Sequence, residues 1–368
     1  MAAIRILVVD DSVVIRKLLS DALRRDPGLD VIGTAGDGRI ALAKISQLHP
    51  DLITLDVEMP VMDGLETLAE VRKLYPKIPV IMFSTLTERG AAATLDALSL
   101  RASDYATKPS STGSPAVAIE AIRTKLIPKI KALCAGSATK LESLPLPVPT
   151  LRLRAPGRIE IVAIGASTGG PNALAEVLPR IPKDFAVPVV VVQHMPPIFT
   201  RLLADRLASR SAIPVQEGRA GVNLRAGGAW IAPGNFHMTV KHAGVDWGLV
   251  LNQELPENSC RPAVDVLFRS VALAYGPSVL GVVMTGMGSD GVVGSRHIRD
   301  AGGEVIIQDK ASAVVWGMPG LVYAAGYADG VYPLDRLAPE ITRRVLQGRT
   351  PHSSTHLTSY IAVGQPAK

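Results

Sequence analysis

Residues 4–25 read IRILVVDDSVVIRKLLSDALRR. The first half is an unbroken β-prone run, Ile4–Val9, that stops at two acids, Asp10 and Asp11. The second half, Val13–Arg25, places its apolar residues at helical spacing. A strand that ends in acids and turns straight into an amphipathic helix is one βα unit. The same alternation repeats outward through the first third of the chain. Further strands are predicted at Asp30–Thr34, Leu52–Leu55, Pro79–Phe83 and Asp104–Ala106, and helices at Arg39–Leu48, Leu65–Leu74, Gly90–Leu98 and Ala116–Ile130. Five strands interleaved with five helices predict a parallel sheet covered on both faces.

The alternation breaks at 134–158, where Pro145, Pro147, Pro149 and Pro156 disfavour helix and sheet alike. It resumes with strands predicted at Ile159–Ile164, Val187–Val192, Ala229–Ile231, His237–Val240, Val279–Met284 and Glu304–Ile307. Pro233-Gly234-Asn235 suggests that Ala229–Ile231 and His237–Val240 form an antiparallel hairpin. The expected organisation is an α/β unit at 1–125, a proline-rich basic linker at 126–157, a second α/β unit at 158–348 and a disordered tail at 349–368.

Composition limits the function classes. The chain has 368 residues and a formal net charge of +6. Residues 126–158 carry +5 and 336–368 carry +4, which leaves −3 for the remainder. The basic excess therefore sits in linker and tail, which argues against a folded nucleic-acid surface. Two uncharged stretches, Ser270–Ser289 and Ala311–Ala328, are interrupted by Gly276-Pro277 and by Gly317, Pro319 and Gly320. They read as buried strands and loops, with no membrane insertion. The two cysteines, Cys134 and Cys260, lack metal-ligand spacing, and the start of the chain carries no signal-peptide pattern. A cytoplasmic protein is expected.

In an open parallel sheet, ligands gather at the carboxyl ends of the strands. In the first unit those ends bring together Asp10, Asp11, Asp56, Ser84 and Lys108. Three clustered carboxylates suit Mg²⁺, and a cation-bound carboxylate can accept a phosphoryl group that the lysine then holds. In the second unit, Gly165-Ala166-Ser167-Thr168-Gly169 fits G-x-S-x-G, with a serine on a sharp strand-to-helix turn. His194 follows the Val187–Val192 run, and Asp290 lies in the loop after Val279–Met284. A serine nucleophile, a histidine base and an orienting acid thus come from three strand ends. The order Ser, His, Asp differs from the Ser, Asp, His of α/β-hydrolases, so the motif alone does not assign that fold. A competing reading uses Gly286, Gly288 and Gly291 as a dinucleotide fingerprint with Asp309 as the ribose acid, but leaves Ser167 and His194 idle. His237, His242 and Arg261 fit either the cleft or a structural role.

Residues 1–125 resemble a response-regulator receiver domain through Asp10-Asp11, Leu52–Asp56, Met59–Gly64, Phe83-Ser84 and Thr107-Lys108-Pro109. The resemblance implies phosphorylation of Asp56 by a histidine kinase. It also implies Mg²⁺ on Asp10, Asp11, Asp56 and the Glu58 backbone carbonyl, with Ser84 and Lys108 sensing the phosphoryl group. Residues 158–348 resemble the catalytic domain of the chemotaxis protein-glutamate methylesterases through Ile164–Asn172, Val192–Pro197, Ala232–His237, Arg261–Ser270, Met284–Gly291 and Pro319–Leu321. That resemblance implies a doubly wound parallel sheet with a β-hairpin and Ser167, His194 and Asp290 as the triad. Met287 and Thr168 would lie at the oxyanion and substrate region, and no cofactor would serve the ester chemistry. Chemoreceptors would be the substrates, as methyl esters and as glutamines to be deamidated, with activity switched on by phosphorylation. The alternatives are a response regulator with a non-catalytic output domain that binds DNA, or with a nucleotide-binding output domain acting as a nicotinamide-dependent oxidoreductase.

Overall fold

The computed structural model of the chain describes residues 2–109, 115–134, 157–243, 246–347 and 349. The first unit runs β1 (Ile4–Val9), α1 (Val13–Leu23), β2 (Leu29–Ala35), α2 (Gly38–Leu48), β3 (Leu52–Asp56), α3 (Gly64–Leu74), β4 (Val80–Ser84), α4 (Glu88–Ser99), β5 (Asp104–Thr107) and α5 (Pro115–Ala121). A π-helical stretch, Ile122–Leu126, then joins α5 to α6 (Ile127–Cys134). The strands form a parallel sheet in the order β2-β1-β3-β4-β5. Every residue of β3 and β4 is buried, as expected of central strands covered by helices on both faces.

The linker expected to begin at 126 starts later. Ile122, Leu126, Ile127 and Ile130 are buried against the first sheet, and Lys131 Nζ meets Asp26 Oδ2 at 2.6 Å. That apolar stripe carries the helix to Cys134, so residues 126–134 pack with the first unit. Residues 135–156 of the expected linker, Gly348 of the expected second unit and 350–368 of the expected tail lie outside the described residues.

The second unit runs β6 (Ile161–Ala166), α7 (Gly170–Val177), β7 (Val189–Gln193), α8 (Pro197–Ala208), β8 (Val215–Glu217), β9 (Ala229–Ile231), β10 (His237–Ala243), β11 (Asp246–Asn252), α9 (Val264–Tyr275), β12 (Val279–Val283), α10 (Val292–Asp300), β13 (Glu304–Gln308), α11 (Met318–Ala324), β14 (Gly330–Tyr332) and α12 (Leu334–Leu346). Its main sheet is parallel, in the order β14-β13-β12-β6-β7-β9-β8. The hairpin expected between Ala229–Ile231 and His237–Val240 does not form. Ala229–Ile231 is buried throughout and pairs in parallel with β7 and β8. His237 onward pairs antiparallel with β11, with His237 opposite Asn252. The Pro233-Gly234-Asn235 turn leads the chain out of the parallel sheet, because Gly234 packs against the Pro196–Pro197 backbone.

The two units meet along α4, β5 and α8. Tyr105 stacks on Phe199 with ring centroids 4.8 Å apart. Glu88 pairs with Arg201, and Asp96 Oδ1 lies 3.0 Å from Arg206 Nη1. Deeper in the interface, Thr168 Oγ1 donates to Asp104 Oδ2 at 2.9 Å, with both residues buried.

Gly64 opens α3 directly beneath Asp56. A Cβ at that position would lie 2.0 Å from the Asp56 carbonyl oxygen and 2.9 Å from Val57 Cα. Both obstacles are backbone, so relief requires the strand end to move. Gly64→Ala should lower unfolding stability by about 1–3 kcal/mol in urea titration. A wild-type midpoint would show that the strand end yields freely.

Candidate active site

Strands β12, β6 and β7 are neighbours at the centre of the second sheet. Ala166 is in register with Gln193. Ser167 and His194, the next residues on the two strands, therefore emerge side by side, about one strand spacing (~4.8 Å) apart. Ser167 N–H donates to Thr285 O at 3.0 Å, which ties the serine turn to the end of β12. Gly169, at φ 78°, takes the left-handed conformation that starts α7, and Pro171 occupies the first turn. Gly286 is closely enclosed: a Cβ there would lie 2.3 Å from Met318 Sδ and 2.9 Å from Ser167 Cβ.

His194 is held by a buried carboxylate. Its Nε2 lies 2.8 Å from Asp290 Oδ2, and the two side chains are 12% and 2% exposed. Asp290 also accepts from Val264 N at 2.7 Å, Asp265 N at 2.9 Å and Asn258 Nδ2 at 3.2 Å. Asp265 reciprocates across the same junction, taking Gly291 N at 2.9 Å and Gly294 N at 2.6 Å. Neither α9 nor α10 has a side-chain bond from its own N-cap, so each is capped by an aspartate from beside the other. Burial opposes the Asp290 charge. Hydrogen bonds from His194 and from the α9 amides outweigh it, and the carboxyl titrates below its ordinary range. Burial likewise opposes the imidazolium, but the bonds to Asp290 and Cys260 raise His194 to about 10. Asp265, with no such base, is raised, chiefly by burial.

The other ring nitrogen, Nδ1, lies 3.5 Å from Cys260 Sγ. Among the described residues no hydrogen bond joins Ser167 Oγ to His194. The Thr168 hydroxyl is engaged by Asp104 of the first unit. The Gly286 carbonyl accepts from Gly317 N at 3.1 Å and Met318 N at 2.9 Å. A trans peptide sets the Met287 N–H opposite that carbonyl, away from α11. Met287 is half-buried beside the serine turn.

Asp265, Asn258 and Cys260 are site residues that the sequence reading missed. The nearest signal was the Arg261–Ser270 stretch, where an acid in the first turn of a helix looks like an ordinary dipole partner. His237, His242 and Arg261 resolve as structural. Buried His237 receives Ala263 N and bonds Leu255 O, while His242 lies on Trp247. Arg261 clamps the Gln253 and Glu254 carbonyls and Asn235 Oδ1. The dinucleotide reading loses its acid, because Asp309 closes its own turn by accepting from Ser312 N and Oγ.

The first unit's strand ends form a separate polar pocket of about 170 Å³, lined by Asp11, Asp56, Glu58, Ser84 and Lys108. Lys108 Nζ lies 2.7 Å from Asp56 Oδ2 and 2.9 Å from Asp10 Oδ2. Burial raises Asp10, and raises Asp56 to about 6, against the pull of Lys108. Burial opposes the Lys108 charge, but the bonds to Asp56 and Asp10 raise its pKa. Carboxylate oxygens of Asp10, Asp11 and Asp56 lie within 4.8 Å of one another, a hard-oxygen donor set that fits Mg²⁺. Ser84 Oγ is turned onto the Gly90 carbonyl at 3.0 Å.

A receiver-type sheet joined to a cleft of Ser167, His194 and Asp290 defines a response regulator whose output half is of the hydrolase class. Comparison with known proteins agrees. Residues 6–120 match the response regulator receiver domain and residues 162–341 match CheB methylesterase. A protein-glutamate methylesterase/protein-glutamine glutaminase of Trichodesmium erythraeum is 52% identical over 351 residues, spanning 94% of this chain and 100% of the relative. One from a Nocardioides species is 51% identical over 357 residues, spanning 95% and 97%. The crystal structure of the Thermotoga maritima CheB methylesterase catalytic domain matches with a TM-score of 0.50 at 41% identity, covering 51% of this chain and 99% of that one. The chain belongs to the CheB methylesterase family, with an N-terminal receiver domain. No described helix is long and apolar enough to cross a membrane.

The Asp290 anion is what stabilises the imidazolium, so removing its charge must lower the His194 pKa. NMR titration should place His194 well above 6.5 in the wild type and closer to 6.5 in Asp290→Asn. An unchanged midpoint in the variant would remove Asp290 as the cause.

Proposed function

We propose that this chain is a phosphorylation-activated serine esterase that hydrolyses glutamate γ-methyl esters on chemoreceptors and deamidates receptor glutamines. The observation that carries the reading is the strand register that sets Ser167 beside His194, with Asp290 bonded to the far side of the ring. Ser167 Oγ attacks the ester carbonyl while its proton passes to His194 Nδ1, which turns from Cys260 to receive it. The oxyanion rests on the Met287 N–H at the mouth of the cleft. The imidazolium returns the proton to the departing methoxide, and methanol leaves. Water, deprotonated by His194, then releases the glutamate and restores Ser167. With a primary amide the same steps expel ammonia. Since Nδ1 must be unprotonated, activity rises with pH as the imidazolium is lost.

Asp56 is the phosphoacceptor, with a chemosensory histidine kinase as donor. Asp10, Asp11, Asp56 and the Glu58 carbonyl would hold Mg²⁺, which when bound neutralises phosphoryl-oxygen charge. Lys108 holds the phosphoryl group, and Ser84 leaves the Gly90 carbonyl to join it. Thr168 flanks the nucleophile and is bonded to receiver residue Asp104. The unphosphorylated receiver therefore restrains the serine turn directly, and phosphorylation weakens that packing.

Two outcomes are expected. Ser167→Ala should reduce methanol release from methylated receptor by at least about 10³-fold while unfolding as the wild type does. Residual activity near wild type would assign the nucleophile elsewhere. In the full chain, Asp104→Ala should raise the unphosphorylated rate severalfold and shrink its stimulation by a small-molecule phosphodonor. An unaltered basal rate would mean that the Asp104–Thr168 bond restrains nothing.

A further inference from the structure

We propose that Cys260 is a reactive thiol that shares the His194 base, and that its covalent modification by a soft electrophile, such as a hydroperoxide, shuts off the esterase. Cys260 Sγ lies 3.5 Å from His194 Nδ1, while Nε2 is bonded to Asp290 at 2.8 Å. Nucleophile, base and orienting acid are therefore aligned a second time, with sulfur in place of oxygen. Nδ1 is the nitrogen that Ser167 needs, so the two nucleophiles compete for one proton acceptor.

The loop that carries the thiol is built for this placement. Asn258 and Ser259 both take left-handed φ values, 51° and 61°, which non-glycine residues rarely adopt in succession. The turn is locked by reciprocal backbone bonds between Glu257 and Cys260, and Glu257 is paired with Arg269. Asn258 Nδ2 bonds both Asp265 and Asp290. The strained turn is thus pinned to the same carboxylate pair that holds the imidazole. Backbone strain of this kind marks a constrained position. The thiol itself is only half-buried, which leaves it open to small reagents.

In the reaction, sulfur attacks as an anion beside the imidazolium, with the proton held on His194 Nδ1. With a hydroperoxide, an S–O bond forms as the O–O bond breaks. Sulfur is oxidised to the sulfenic acid, the peroxide is reduced, and the proton goes to the departing oxygen to give an alcohol or water. With iodoacetamide, an S–C bond forms and iodide leaves. Either product fills the space beside Nδ1 and denies the base to Ser167. This last consequence rests on the esterase reading; the reactivity of the thiol does not.

The chain carries its own control. Cys134, the other cysteine, is held by burial and by nearby Asp51 at about 11 and has no imidazole partner among the described residues. The full-length protein is treated with iodoacetamide at neutral pH, and both cysteines are followed by peptide mapping alongside methanol release. Cys260 should label about tenfold faster than Cys134. His194→Gln should slow Cys260 labelling severalfold without changing Cys134, whose constancy, with an unchanged unfolding midpoint, reports an intact fold. Methanol release should fall in step with Cys260 labelling, and Cys260→Ala should keep its own starting rate through the same treatment. Equal labelling of the two cysteines, Cys260 labelling indifferent to His194→Gln, or full labelling with methanol release intact would each overturn the proposal. If untreated protein releases no methanol, the esterase reading fails, and the labelling rates still decide the state of the thiol.

Discussion

Keeping the Asp290 carboxylate ionised inside the protein is the constraint on which the cleft depends. An isolated buried carboxylate would take up a proton and lose its hold on the imidazole. Here the charge is met by the first amides of α9, by Asn258 and by His194. Asp265 completes the arrangement by capping α10 in return. Two helix N-termini and two aspartates thus satisfy one another. The junction is at once a packing device and the support of the candidate base, so disturbing either helix start disturbs the chemistry.

The receiver pocket solves the same problem differently. Asp10 and Asp56 are both buried, and they share one ammonium, Lys108, rather than a set of amides. One cation cannot fully compensate two carboxylates, and burial leaves both raised. The uncompensated negative charge is what a further hard cation would meet.

Strand β5 joins the two. Asp104 begins it and Lys108 stands just past its end, a span of roughly 13 Å at about 3.3 Å per residue. At one end the strand reaches the phosphoacceptor pocket, and at the other it holds Thr168, the neighbour of Ser167. Tyr105, between them, is stacked on Phe199 of α8. One short element therefore spans the distance from the phosphoacceptor pocket to the interface.

Much of this was legible in the chain itself. Period-two and period-3.6 patterns located all five strands of the first sheet and β6, β7, β9, β12 and β13 of the second, though not its three-residue edge strands β8 and β14 or hairpin strand β11; strand ends nominated Asp10, Asp56, Lys108, Ser167, His194 and Asp290, because local backbone preference and the rule for parallel sheets require no long-range information. What the sequence could not carry was pairing between distant segments. Ala229–Ile231 looked like half of a hairpin, since a Pro-Gly-Asn turn reads the same whether the next strand folds back or departs; its burial on both faces, a tertiary fact, placed it in the parallel sheet. The helix end at Cys134 depended on a surface supplied by the first sheet. Cys260 beside His194, Asp265 opposite Asp290 and Asp104 on Thr168 join residues 66, 25 and 64 positions apart. Contacts at such separations arise from how whole elements pack, and that decision belongs to the folded chain.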